Sequence, residues 1–525
     1  MNSESNGPPR PVANTRIIAK NTVWSGVDVF SGMLATFITS VWIARVLGKD
    51  APSQAVLGSY QYIVLLTTIT LTMGSFGLSS TAWKYMAEYL NSGRPEIARA
   101  IYLYTLKIQS SISFAAGFAG FGLVYWLGDR RFFWAAVLLV AAIVPRLIGT
   151  IPSGANNAAE EVRRNVTPSV VGVAVTIIVT ALSLLFGWDY IGLSAAAFLG
   201  AAVECVLKMH SVERWLGGTR AAVLTPELRK RMLTYSGQGL ALMLLNLLVW
   251  DRSDVLLLKK LNPDTRQILF FSTPFGLAER ILMVPTLFAG ALGFTMMAQY
   301  GRGEARLKEM TVDGGRYALL LALPLLVGIA CISRPLVLLV YTPAYRSMIA
   351  TVAIIALLAI PKALVAAPTR LLQTTERQGF LIVWGCLCGA VDIGLDFLLV
   401  GRYGANGAAV ANGTAQAMAA LGTWIYLWRA DRLDLKLTDC GRILVAGAIM
   451  ALGVLGVVRY IPGAAGLFAG VVTGALLWFV GLRATRAIKR EDVGRFLSIG
   501  GQLPAAVRPF WKGLVTWLAP SVSLD

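Results

Sequence analysis

Ionisable side chains recur inside stretches that are otherwise apolar, and these are the residues able to do chemistry. The stretch 380–400 carries Asp392 and Asp396, 268–298 carries Glu279 and Arg280, and 233–258 carries Asp251, Arg252 and Asp254. Arg146 and Lys362 each directly follow a proline. Near the start, Asn21, Ser25, Asp28, Gly32, Thr36 and Thr39 recur at three- and four-residue steps, which draws one polar stripe along a helix. An ionised side chain at the centre of a bilayer costs at least about 2.5–3.5 kcal/mol on insertion scales, so each needs a partner, a water-filled cavity or a task. The four cations Arg146, Arg252, Arg280 and Lys362 suit an anionic ligand such as a pyrophosphate, which arginine can grip bidentately. Asn21 and Ser25 join them as substrate-binding candidates. Asp28, Glu279, Asp392 and Asp396 are the acids able to couple movement to H+ or Na+, because neutralising one of them changes which state an empty cavity prefers. Asp392 and Asp396, four residues apart, share one helix face.

Structural roles compete with each of these. Asp251, Arg252 and Asp254 can form an interfacial ion cluster with Lys259 and Lys260, and Glu279 with Arg280 can be a local pair. Asp392 and Asp396 can pair with Lys362 or Arg402. The proline-cation sites can be helix kinks, and Glu204 with Lys208 makes an ordinary helix-edge ion pair.

The elements that hold these residues must cross a membrane. Of 525 residues 56% are hydrophobic and 14% charged, with a mean hydropathy of +0.65. Soluble chains average about 25% charged residues, so lipid must be the outer solvent here. Apolar periodicity predicts spans at 21–47, 57–82, 101–127, 132–153, 168–187, 191–212, 233–258, 268–298, 317–341, 347–370, 380–400, 407–428, 442–459 and 464–483. The chain therefore reads as an all-α polytopic membrane protein with fourteen transmembrane helices. About two-thirds of the 47 Lys and Arg fall on the tails and even-to-odd loops, which places both termini in the cytoplasm. The net charge of +19 is explained by that bias; no basic patch is interleaved with exposed aromatics, so nucleic acid is not an expected partner. Residues 1–20 are polar and do not open with a signal peptide. The five cysteines have no zinc or redox spacing and there is one histidine, His210, so neither a metal cluster nor a cofactor is expected. No Gly-rich nucleotide loop is present, and no large external loop carries a catalytic acid, which argues against an enzyme.

The two halves repeat. An offset of 211 carries Ser25-Gly26 onto Ser236-Gly237 and Met86-Ala87-Glu88-Tyr89 onto Met297-Ala298-Gln299-Tyr300. An offset of 216 carries Pro145-Arg146 onto Pro361-Lys362 and Pro152 onto Pro368, and one of 215 carries Gly192 onto Gly407. Six helices per copy make the repeat parallel, and transporters of that design bind substrate between the halves. The expected organisation is an N-tail 1–20, an N-lobe 21–212, a basic linker 213–232, a C-lobe 233–428, two added helices within 442–483, and a cytoplasmic amphipathic tail 484–525 suited to the inner leaflet. The second half's Arg252 and Glu279-Arg280 fall opposite Val41 and Thr68-Ile69, an asymmetry that points to ligand chemistry rather than architecture.

Ile43-Ala44-Arg45-Val46-Leu47-Gly48, then Leu57-Gly58-Ser59-Tyr60, Gly77-Leu78 and Ala82-Trp83-Lys84-Tyr85-Met86-Ala87-Glu88-Tyr89 form one set of motifs. Gln373-Thr374-Thr375-Glu376-Arg377 and Gly404-Ala405-Asn406-Gly407-Ala408-Ala409 extend it. Over about residues 14–484 the chain resembles the polysaccharide-biosynthesis (Wzx-like) flippases of the multidrug/oligosaccharidyl-lipid/polysaccharide exporter superfamily. The resemblance implies two six-helix bundles around a V-shaped cavity, with two extra C-terminal helices. It implies alternating-access export of a polyprenyl-pyrophosphate-linked oligosaccharide across the bacterial inner membrane, by a monomer working with membrane lipid and with polysaccharide polymerase or assembly proteins. A lipid II flippase of the same superfamily shares the plan but brings cations on its first helices, where this chain offers Asp28 and the terminal Arg45. A drug/cation antiporter would have twelve helices and an acidic, aromatic cavity.

Reporter fusions test the topology. A fusion after Arg130 should report outside and one after Gln502 inside; an outside signal at Gln502 would overturn it.

Overall fold

The computed structural model describes residues 15–246, 253–299, 304–375, 377–500 and 508–518, and among these the ordered elements are helices without a strand. The helices run α1 (Thr15–Leu47), α2 (Ala51–Ser75), α3 (Leu78–Asn91), α4 (Pro95–Leu127), α5 (Phe133–Ile148), α6 (Thr150–Ala158), α7 (Arg163–Phe186) and α8 (Asp189–Leu216). They continue with α9 (Pro226–Asn246), α10 (Ser253–Leu261), α11 (Arg266–Gln299), α12 (Glu304–Leu336), α13 (Met348–Leu358), α14 (Ile360–Thr374), α15 (Gln378–Tyr403) and α16 (Ala405–Asp431). The chain closes with α17 (Leu437–Tyr460), α18 (Gly463–Ala484), α19 (Arg490–Gly500) and α20 (Arg508–Leu518). Among the described residues, eleven spans are long and apolar enough to cross a membrane, so this is a multi-pass membrane protein. Of the remaining three predicted spans, 268–298 falls on α11 and 407–428 on α16, neither among the eleven, and 233–258 falls on α9 and α10 with 247–252 outside the described residues. For α16 the reason is visible: it is built on alanine and glycine, with Asn406, Asn412, Gln416 and Thr423 along its length.

Two compact units make up the chain: Ile63–Leu244 with the residues up to Thr39, and Leu245–Asp525 with Ser40–Tyr62. In the first unit, α7 lies against α8 and α5 against α8, while α3 packs on α4 and α6. The α7–α8 approach depends on small residues. A Cβ added at Gly172 would lie 2.9 Å from the Gly200 carbonyl oxygen, a spacing only glycine permits. Lipid supplies no hydrophobic drive between helices, so close backbone packing of this kind is what associates them. The core of this unit gathers Leu78, Tyr85, Met86, Ile101, Tyr102, Ile151 and Val212.

In the second unit, α11, α13, α14 and α16 pack on one another, α15 lies along α16, and α17 and α18 pair and cover α12. The tail is part of this unit. Arg316 on α12 and Asp492 on α19 each keep only 2% of their side-chain surface exposed. The Arg316 guanidinium donates to Asp492 and, at 2.6 Å, to the Ala487 carbonyl, while the Tyr317 hydroxyl donates to Asp492. Around this pair, Arg495 donates to Asp313 at 2.9 Å, Lys436 pairs with Asp313 at 3.2 Å, and Lys489 pairs with Asp439. The Trp511 indole N–H donates to the Phe496 carbonyl at 2.8 Å, and Arg483 donates to the Trp517 carbonyl at 2.6 Å with its guanidinium 4.6 Å from the Trp517 ring centroid. One face of the tail expected on the inner leaflet is thus taken up by the helices of this unit. Val493, Val515 and Leu518 are buried with core residues of α12 and α17, while Phe510 and Lys512 stay outside. A buried arginine requires its carboxylate, and among the described residues the one that pairs with Arg316 comes from α19.

Burial alone would raise the Asp492 carboxyl, but the hydrogen bonds from Arg316, Tyr317 and the Lys489 N–H outweigh it and hold it below the ordinary carboxylate range. With the folded value depressed, its contribution to stability is complete above about pH 4–5 and is lost as pH falls further through that lower value. Asp492→Ala leaves Arg316 buried without a partner and should cost about 3–5 kcal/mol in thermal unfolding. Arg316→Met combined with Asp492→Leu should cost less than Asp492→Ala alone. Wild-type melting of Asp492→Ala would overturn the assignment.

Candidate functional site

The strongest concentration of unbalanced polar chemistry lies within the second unit. Asp254 near the start of α10 and Asp392 and Asp396 on α15 bring carboxylate oxygens within 4.8 Å of one another. Their relative exposures are 0%, 1% and 0%. The spacing Asp392–Asp396 puts both acids on the α15 face that meets α10, and Asp254 completes the group from the opposite side. The Ser253 hydroxyl donates to Asp392 at 3.2 Å, and the Asn412 side-chain N–H donates to Asp254 at 2.9 Å. Among the described residues no lysine or arginine pairs with any of the three, and neither oxygen of Asp396 has a hydrogen-bond partner. Three carboxylates at this separation cannot all stay ionised in a medium of low dielectric without a counter-charge. Carboxylate, hydroxyl and amide oxygens are hard donors, the set that suits Na+ or another hard cation.

Asp254 is the member that helical spacing on its own helix does not disclose. Its neighbours in sequence, Lys259 and Lys260, point to a local ion cluster, but Asp254 turns to α15 and α16 instead. The expected pairing of Asp392 and Asp396 with Lys362 or Arg402 is likewise corrected. Lys362 pairs with Glu279 at 3.8 Å and lies 5.6 Å from the Phe275 ring centroid, while Arg402 lies by Tyr403. Glu279 thus turns to α14 as well as having Arg280 beside it in sequence. Lys362 and Glu279 line a pocket with Phe271, Phe275, Leu358, Ala359, Asn412, Gly413 and Gln416. Gly413 gives this pocket its wall: a Cβ there would collide with Leu358, so α16 approaches α13 only through glycine. Arg280 is half-buried on α11 and is not among the residues lining the pocket.

The proline-cation sites of the two halves differ in detail. Lys362 belongs to the first turn of α14, just after the break at Ala359, whereas Arg146 is in the last turn of α5, just before the break at Gly149. The repeat therefore keeps the proline-cation position and moves the break from one side of it to the other. Arg146 is exposed and belongs to the first unit. Arg252 and Asp251 lie outside the described residues, and Asn21 and Ser25 are placed only as positions on α1.

Asp28 belongs to a smaller polar group of the first unit. Lys208 pairs with Glu204 at 2.5 Å, the Ser169 hydroxyl donates to Glu204 at 2.9 Å, and Asp28 of α1 interacts with Ser169 and Lys208. One ammonium serves two carboxylates there.

The fold has solved counterparts. A lipid II flippase MurJ in an inward closed conformation superposes with a TM-score of 0.68 at 14% identity, covering 88% of this chain and 98% of that one. An inward-facing multidrug resistance MATE family transporter gives 0.60 at 15% identity, with 77% and 95% covered. A transporter from Pyrococcus furiosus gives 0.58 at 14% identity, with 81% and 98% covered. All carry the fold of the multidrug/oligosaccharidyl-lipid/polysaccharide superfamily, and this chain has that fold. No protein-family model and no curated protein sequence matches the chain.

Mutual repulsion in the acid group has a measurable consequence. Thermal stability should rise with NaCl and not with choline chloride at equal ionic strength, through preferential binding to the folded state. Asp396→Asn should melt above the wild type in choline and lose the sodium increment; an unchanged sodium response in that variant would assign the acids a purely structural role.

Proposed function

We propose that this chain flips a polyprenyl-pyrophosphate-linked oligosaccharide from the cytoplasmic to the periplasmic face of the inner membrane by alternating access, driven by a sodium gradient. The observation that carries the reading is the proximity, inside one unit, of a charged pocket and a buried acid group joined through Asn412. The fold shared with superfamily transporters supports it. The Lys362–Glu279 pair, at 3.8 Å, is looser than the 2.5 Å pair of Lys208 and Glu204, so Lys362 can be handed to an anionic group with little loss. Arg146, Arg252, Arg280, Asn21 and Ser25 are further candidates for contact with such a ligand. Asp392 and Asp396, with Asp254, hold the coupling cation, and Asp28 and Glu279 adjust the charge of the empty carrier.

Lipid II transport is a second reading, favoured by the 98% coverage of the MurJ flippase chain. Both ligands present the same polyprenyl pyrophosphate to Lys362, so cavity charge alone does not separate them. Proteoliposomes loaded with fluorescent lipid-linked oligosaccharide, lipid II or a cationic dye distinguish the readings. Sodium-driven movement of the oligosaccharide lipid is the expected result, reduced to the protein-free background in Asp392→Asn/Asp396→Asn while ligand binding survives. Movement of lipid II alone would select the second reading, movement of the dye alone would replace both, and a pH dependence without a sodium dependence would replace the coupling ion by H+.

A further inference from the structure

A hydrogen-bond chain leads out of the acid group. Asn412 donates through its side-chain nitrogen to Asp254 at 2.9 Å, and its oxygen accepts from the Gln416 side-chain nitrogen at 2.5 Å. Asn412 and Gln416 are four residues apart on α16, so they share a face, and both line the pocket that holds Lys362 and Glu279. Both are buried, at 5% and 6% exposure, and among the described residues the Gln416 side-chain oxygen has no hydrogen-bond partner. An unsatisfied buried acceptor is unfavourable, which marks this end of the chain as awaiting a donor.

The direction of this chain is not arbitrary. An ionised carboxylate only accepts, so when the charge left on the acid group is held by Asp254, Asn412 must face it with N–H. The Asn412 oxygen must then face Gln416, and Gln416 must answer with N–H, which leaves its own oxygen at the far end. A cation among the acids reverses each of these choices. With Asp254 engaged by the cation, the better partner from Asn412 is its oxygen, a hard ligand. The Asn412 N–H groups then face Gln416, which turns its oxygen toward Asn412 and its N–H groups outward. One acceptor at the pocket end becomes a pair of donors beside Lys362.

We propose that Asn412 and Gln416 form an amide relay whose hydrogen-bond polarity transmits cation occupancy of the Asp254–Asp392–Asp396 group to the Lys362 pocket, favouring a phosphate-bearing ligand when the cation is bound. The inference rests on the cation reading given above. Gln416 is on this account a positioning residue for coupling, and its contribution is to the dependence of one ligand on the other.

The test uses the purified full-length chain, with Na+ and undecaprenyl pyrophosphate as probes. In the wild type, affinity for undecaprenyl pyrophosphate should be about ten-fold higher in sodium than in choline, within the usual range of couplings between sites. Gln416→Met keeps the volume and removes both hydrogen-bonding groups; the ratio should fall to about one whatever the variant's absolute affinity, with sodium binding still seen by isothermal titration. Gln416→Glu keeps the length but only accepts when ionised, draws the Asn412 N–H groups away from Asp254, and should bind sodium several-fold more tightly. A wild-type ratio in Gln416→Met, or unchanged sodium affinity in Gln416→Glu, overturns the relay and leaves the cation reading standing. A wild type that binds no sodium overturns the cation reading and the relay with it.

Discussion

Charge burial without water is the constraint from which the second unit is built. In hydrocarbon a lone ion is expelled, protonated or matched, and helices satisfy their own backbone, which leaves side chains free to do the matching. Arg316 is matched by Asp492, Asp313 by Lys436 and Arg495, and Lys362 by Glu279. The three acids of α10 and α15 are the group for which no protein cation is provided among the described residues. The contrast is informative because it occurs within one unit, under one set of packing rules. Among the described residues Asp492 and Asp313 have basic partners, whereas the three aspartates have none.

Small residues make these arrangements possible. α16 is poor in bulky side chains where it meets α13 and α14, and Gly413 lets it come close enough for Asn412 and Gln416 to line the same pocket as Lys362. That composition also lowers its hydropathy, so the helix that carries the polar relay is among those missing from the eleven clear spans. In this instance the weaker membrane signal and the richer chemistry have one cause.

Much of this was legible from residue spacing. The helical character, the pairing of Asp392 with Asp396 on one face and the Glu204–Lys208 pair all follow from intervals of three and four residues. Asp254 did not follow, because its nearest neighbours in sequence are basic and its true partners are more than a hundred positions away. Asn412 and Gln416 carried a signal that could have been read: two amides four apart in an alanine-rich helix. The Arg316–Asp492 pair had no such signal, since each residue looks like an ordinary member of a basic membrane edge. Local periodicity assigns a face to a residue, whereas the identity of what covers that face is decided by tertiary packing.

The tail contact also has a temporal meaning. Asp492 follows Arg316 by 176 residues. At about 5–20 residues per second, a ribosome needs roughly 10–35 s to deliver the acid after the arginine has emerged. Throughout that interval α12 carries a guanidinium with no carboxylate to receive it. This edge of the unit therefore cannot reach its final arrangement by sequential insertion of α12 to α18, and must stay adjustable until α19 is made. The last turns synthesised act as a clasp that closes the assembly, and nascent chains stalled before Asp492 should be recognisable to quality control as unfinished.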